Sequence, residues 1–413
     1  MAQANDAAQA GDELPPGAGR GAAGFFRVAP DAAGRWWLVD PDGARVFLRC
    51  VHGMRPAETP ADAALSPDTA ARLRRWGFNA AGLDARGAGH EDGLPSLAAV
   101  DFCTGGPLLA GPGLRLPDVF DAGWGVRAAE RALTVCAPRA EERALVGWVT
   151  DDGLAWGQDG TNGRPTLLQL CLALEPSHGA YHAAWEFVLA PHRGRLDALA
   201  RSWGVGLPNR ETVRELVRAE SGLATRGYLR DQARWTRELA RRYFTTTAAA
   251  VRAADPHHLV LGCRCRGAAG PEVAAEAAYP AVDVGLQDWS TLPPGGGSAK
   301  HPVLADDVSW VHEAFFHAPA GKRPRRLTAV ERMLQRARGA LERLARHPAV
   351  VGYAWSQWQD EPGEQPPFGR GLVHTNGAEA REHTELLATF NFRCETLRRS
   401  ASPVARSGPN PPP

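Results

Sequence analysis

The chain has 413 residues, 44% of them hydrophobic and 23% charged, with 47 Lys and Arg set against 46 Asp and Glu. A net charge of +1 argues against nucleic acid or an anionic membrane surface as the main partner. No apolar run approaches the roughly 18 residues a transmembrane helix needs, and the N-terminus lacks the basic start and apolar stretch of a signal peptide. The seven cysteines (Cys50, Cys103, Cys136, Cys171, Cys263, Cys265 and Cys394) include no CxxC pair. Free buried thiols in a reducing compartment, and so a cytoplasmic location, are expected.

Residues 1–24, rich in Ala, Gly, Asp and Pro, are expected to form a disordered arm, and residues 401–413 a disordered Pro-rich tail. Between them, strand-like and helix-like patterns alternate as one domain over 25–400. Trp36 to Asp40, the turn Pro41-Asp42-Gly43, and Val46 to Val51 read as strand, turn, strand. Ser66 to Trp76 reads as a helix capped by Ser66, with Pro67 in its first turn and Gly77 at its end. Phe78 to Leu83 reads as a strand, Ala128 to Cys136 as a helix, and Leu145 to Thr150 as a strand ending at Asp151-Asp152. Helical spacing covers Thr166 to Trp203 and Val213 to Ala253. His258 to Cys263, Val282 to Leu286, Val303 to Ala305 and Val350 to Trp355 read as strands, with a helix over Thr328 to Ala345. The alternation fits an α/β fold, a single-domain (β/α)8 TIM barrel with an N-terminal β-hairpin and long βα loops.

Several segments resemble the agarase-type β-glycoside hydrolases. They are Gly34-Arg35-Trp36-Trp37-Leu38-Val39-Asp40-Pro41-Asp42-Gly43, Trp76-Gly77-Phe78-Asn79, Leu116-Pro117-Asp118-Val119-Phe120-Asp121, the 255–264 run from Asp255 to Arg264, and Val351-Gly352-Tyr353-Ala354-Trp355 with Gln357 to Pro362. Their shared order covers about 25–398. The resemblance places Trp76 to Asn79 on a second strand, 255–264 on a sixth and 351–355 on an eighth. It implies a barrel acting on a β-galactoside or agarose-type carbohydrate with two carboxylates at strand ends, and no cofactor or metal.

This sequence departs from that pattern at both carboxylates. Where the family reads Asp-Asn-Glu-Leu before Trp-Gly, this chain reads Asp151-Asp152-Gly153-Leu154 before Trp156-Gly157. The acid/base Glu therefore falls on Gly153, which leaves Asp152 as the candidate substitute. The nucleophile Glu falls on Asp307, in Pro302-Val303-Leu304-Ala305-Asp306-Asp307, one methylene shorter. The candidate catalytic pair is Asp307 and Asp152. Candidate carbohydrate-binding residues are Trp355, Trp156, Arg264, His52, Asp288 and Trp358. Asp306 and Asp151 read as structural, and Cys263 and Cys265 lack the spacing of metal ligands. The sequence carries no phosphate loop, dinucleotide fingerprint or nucleophile elbow. Three functions stay open: a hydrolase working with the altered Asp152 and Asp307 pair, a carbohydrate-binding or regulatory pseudoenzyme, and a barrel turned to other chemistry.

Overall fold

A computed structural model describes residues 19–54, 66–83, 93–111, 113–157, 163–266, 269–293, 301–310, 328–364 and 369–401. Most of the expected arm and tail lies outside these residues. Within the described end of the arm, Arg20 pairs with Val28 and donates to the Asp283 carbonyl at 2.8 Å.

The chain opens with a small antiparallel sheet: β1 (Arg27–Pro30), β2 (Trp36–Val39) and β3 (Arg45–Val46). The Asp42-Gly43 turn between the last two forms as expected, with Gly43 at φ of 93°, and Asp40 holds it by accepting the Asp42 and Ala44 N–H groups, an Asx turn. Phe47 then passes the chain from this sheet to β4 (Leu48–Val51), the first parallel strand. Helix α1 (Pro67–Arg75) starts as its sequence demands, with the Ser66 hydroxyl accepting the Thr69 N–H at 3.1 Å.

Phe78 to Leu83 does not form the expected strand. Its contact with the next strand is a single bridge, Ala81 to Ser96. The segment still bonds to both neighbours through its backbone, Ala80 to the Arg49 carbonyl and Gly82 to that of Val51 on one side, Ala81 to the Pro95 carbonyl on the other. The Asn79 side chain takes over at its start, accepting from the Arg49 N–H and donating to the Phe47 carbonyl. The parallel strand β5 (Ser96–Ala99) follows, with no strong pattern to announce it in sequence. Next come the hairpin β6 (Leu108–Gly111) and β7 (Leu114–Pro117), helix α2 (Trp124–Val135), β8 (Leu145–Val149) and β9 (Ala155–Trp156).

The first expected helical stretch divides into α3 (Leu167–Ala173), α4 (Gly179–Leu189) and α5 (Leu196–Trp203). The second divides into α6 (Glu211–Arg218) and the long α7 (Arg226–Ala254). Then follow β10 (Leu259–Val260), α8 (Gly270–Glu276), β11 (Gly285–Asp288) and β12 (Val303–Val308). Helix α9 (Ala329–Arg346) begins in a Thr328–Glu331 capping box, and β13 is Val350–Trp355. The chain closes with β14 (Gln357–Gln359), β15 (Gly371–Val373), α10 (Arg381–Asn391) and α11 (Cys394–Arg399).

The parallel strands form two sheets, β10-β8-β5 and β11-β12-β13-β4, rather than one continuous closed ladder. Backbone bonds link them at both edges. Gly82 donates to the Val51 carbonyl at 2.7 Å on one side, and Asp283 to the Val260 carbonyl at 2.8 Å on the other. Counted from β4 around these neighbours, the segment at 259–260 falls fifth, not sixth, because β10 pairs directly with β8 and β11 takes the sixth place.

Apolar side chains from both sheets meet between them: Leu48, Cys50, Leu97, Val146, Val149, Leu261, Leu304 and Val351 are buried in one cluster. Helices α2 to α7 pack a second, aromatic-rich core outside β8. All seven cysteines are free. Among the described residues no helix is long and apolar enough to cross a membrane.

Candidate active site

The C-terminal ends of the parallel strands converge on one charged network. Its centre is Asp306, 5% exposed, on a β-bulge. Ala305 pairs with Tyr353 and Val308 with Trp355, so β12 carries one residue more than β13 across this stretch. Asp306 keeps the inward face of Leu304, two residues earlier. A bulge re-aims side chains that would otherwise alternate: Asp307 leaves the helix-side core that holds Ala305 and is exposed, in a left-handed conformation with φ of 53°. Asp tolerates that region better than most residues, at a cost of about 1 kcal/mol or more.

Asp306 takes two partners. The His52 Nδ1 accepts the Leu83 N–H at 3.0 Å, which leaves the proton on Nε2; this N–H donates to Asp306 Oδ1 at 2.9 Å. Gly82 makes room for that ring, since a Cβ there would lie 2.5 Å from His52 Nδ1. The Arg264 Nε–H donates to Asp306 Oδ2 at 2.9 Å, and its Nη1 donates to Asp152 Oδ1 at 3.0 Å. Burial alone would raise the Asp306 pKa, but the Arg264 charge and then His52 outweigh it and hold the carboxylate well below its usual range. The same ion pairs push Arg264 above its ordinary value against the effect of burial.

Asp307 is different. Burial and then the neighbouring Asp306 raise its pKa, with Arg264 working the other way. No described residue is hydrogen-bonded to its carboxylate. Asp288 sits beside Asp306 in the parallel register and accepts the Ser290 N–H at 2.8 Å and hydroxyl at 2.7 Å. Arg370, which feels the Asp307 charge, is held by Glu364 at 2.7 Å and Glu361 at 3.0 Å. No motif in the sequence signals that clamp.

At Gly153 the backbone is left-handed, with φ of 80°. A Cβ there would lie 3.3 Å from the Arg266 Nε. The position therefore lacks a side chain, and its backbone is one that L residues rarely adopt.

Of the expected site residues, His52, Asp152 and Arg264 join through Asp306, with Asp307 and Asp288 at its side. Trp355 adjoins them through its backbone, its carbonyl accepting the His52 N–H at 3.0 Å, but the rings of Trp355 and Trp156 pack into apolar cores. Trp355 is fully buried, donating to the Arg370 carbonyl at 2.9 Å and packing 4.5 Å from Trp310. Trp156 is buried against Tyr243 and Phe244. Only Trp358 keeps part of its ring exposed, 5.7 Å from Trp76.

Asp151, read from the sequence as structural, is fully buried and accepts the Cys103 N–H at 2.8 Å and the Tyr243 hydroxyl at 2.5 Å. Burial outweighs these bonds and pushes its carboxyl up to about 7. The folded state therefore holds a proton that the unfolded chain releases near pH 3.9. Its contribution is greatest below that value and is lost as pH rises to about 7. Asp151→Asn is expected to remove a slope on the order of 1 kcal/mol per pH unit between those limits. Urea unfolding across that range checks this; an unchanged slope in the variant would refute the assignment.

No family model and no curated protein matches the chain. Solved structures do. An exo-beta-agarase superposes with a TM-score of 0.66 at 19% identity, covering 91% of this chain and 66% of its own. BpGH50 gives 0.64 at 15% identity, with 93% and 85% covered. A beta-galactosidase from the psychrophilic Marinomonas ef1 gives 0.51 at 13%, with 86% and 60% covered. The chain thus spans about two thirds of the length of the agarase it superposes on. These likenesses show the fold alone: the chain has an α/β fold like that of the agarase-type glycoside hydrolases.

Proposed function

We propose that the protein is a (β/α)8 barrel whose mouth, at the C-terminal ends of β4, β8, β10, β11 and β12, binds a carbohydrate without the two-carboxylate retaining reaction. Support for the barrel comes from parallel segments bonded in chain order and linked at both sheet edges. Support for the ligand comes from the structural neighbours, an agarase and a beta-galactosidase, which suggest a β-galactoside or agarose-type saccharide. One observation carries the loss of the retaining reaction: the strand end at Asp152-Gly153. Asp152 spends its carboxylate on Arg264, and Gly153 offers no acid. A missing general acid costs roughly 10²–10⁴-fold in rate.

A second reading rests on Asp307. A carboxyl whose pKa is raised, as burial and then Asp306 raise that of Asp307, holds its proton to higher pH than a free Asp and so can serve as a general acid. In that case activity falls as pH rises and Asp307 deprotonates. Turnover of aryl β-galactosides and agar oligosaccharides separates the two. The proposal expects none above background. Turnover that Asp307→Asn abolishes would overturn it in favour of the second reading. Asn suits the left-handed backbone better than Ala, so the variant tests the carboxylate rather than the fold.

A further inference from the structure

Two guanidiniums meet the turn at 152–154, and they differ in what holds them. The Arg264 N–H donates to the Asp151 carbonyl at 2.9 Å and the Arg266 N–H to the Leu154 carbonyl at 2.6 Å. The backbone thereby delivers both side chains to one place. Arg264 is satisfied there by Asp306 and Asp152. Arg266 is exposed, and no carboxylate among the described residues pairs with it. Its side chain lies along the bare Gly153 backbone, with Nε, Cγ and Cδ at 3.3, 3.8 and 4.0 Å from where a Cβ would sit.

The nearby acids are already engaged or lie on other strands. Asp152 is bound to Arg264, and Asp288 to Ser290. Asp307 stands on β12, beside Asp306 rather than at this turn. An unspent, exposed guanidinium beside the Arg264–Asp152 pair presents a planar fork of donors that fits a carboxylate or sulfate in bidentate fashion.

We infer that Arg266 docks an oxyanion carried by the saccharide, a uronate carboxylate or a sulfate ester, so that the ligand is an acidic oligosaccharide. This rests on the reading that the mouth binds carbohydrate. The anionic group sits on the β8–β10 side, against Gly153, where a larger residue would crowd the arginine. The neutral part of the sugar extends toward Asp307.

Calorimetric titration of the full chain at low salt tests this with two matched pairs. One pair is a uronate-bearing oligosaccharide and its carboxyl-reduced form; the other is a sulfated oligosaccharide and its desulfated form. At least one acidic member should bind about tenfold or more tighter than its neutral partner, and added salt should shrink the gap. Arg266→Gln, at an exposed position, should erase the preference while leaving the melting temperature unchanged. The pair that shows the preference identifies the oxyanion. Equal binding of acidic and neutral members, or a preference that survives Arg266→Gln, overturns the inference but leaves carbohydrate binding standing. Binding of no member of either pair overturns both.

Discussion

Asp306→Ala is expected to destabilise the protein by about 3–5 kcal/mol, the usual cost of removing one partner from a buried ion pair. The side chains of Arg264 and Asp306 are 18% and 7% exposed, so little solvent is present to screen the stranded guanidinium. Arg264 would retain Asp152, which is itself 39% exposed and a weaker counter-charge. The His52 Nε2–H would also lose its acceptor. The sign with pH follows from the lowered Asp306 pKa. Its stabilisation is present above the ordinary value of about 3.9 and is lost as pH falls below it. Urea unfolding at neutral pH provides the measurement. A loss under 1 kcal/mol would mean that the network is hydrated and does not hold the strand ends together.

The second large effect is expected at Arg398. This residue is fully buried, on the last described helix. It donates to the carbonyls of Ala345 at 2.9 Å, His347 at 2.8 Å and Pro348 at 3.2 Å, and to that of Trp36. Its guanidinium lies 5.0 Å from the Trp37 ring and 5.6 Å from that of Phe47. One side chain therefore joins the C-terminal helix, the approach to β13 and the N-terminal hairpin. Arg398→Met keeps most of the volume but strands several buried carbonyls, each worth about 1–3 kcal/mol. Relief of a buried cation offsets part of that loss. A net loss of about 3 kcal/mol or more is expected by denaturant unfolding. Arg398→Lys should recover only part of it, since one ammonium cannot reach carbonyls spread over a planar fork. Wild-type stability in Arg398→Met would contradict this role.

Neither effect was legible in the sequence, for a physical reason. The elements themselves announce their ends: Ser66 caps α1, the Thr328–Glu331 box opens α9, and Val350–Trp355 forms a strand with the expected limits. Such signals are local, and local patterns suffice to read them. Alternation along a strand would send Asp307 to the opposite face from Asp306, and only the bulge in β12, which no local pattern announces, leaves it exposed beside Asp306. Phe78 to Leu83 reads as a strand from its apolar composition and does bond to both neighbours, but the long-range side-chain bonds of Asn79 to 47–49 interrupt its regular pairing at the start. Trp355 and Trp156 looked like sugar platforms, and their rings face the core instead. Arg398 carries no motif at all, since its partners lie about 50 and more than 360 residues away.

Binding at the strand ends is tested most directly by calorimetric titration of galactose-containing oligosaccharides, neutral and acidic, against the wild-type chain and Asp307→Asn. The account predicts saturable binding by the wild type and at least about tenfold weaker binding by the variant, with both proteins unfolding at similar urea concentrations. Wild-type binding that Asp307→Asn leaves unchanged, or no binding of any saccharide, would contradict a carbohydrate site built around the bulge at Asp306 and Asp307.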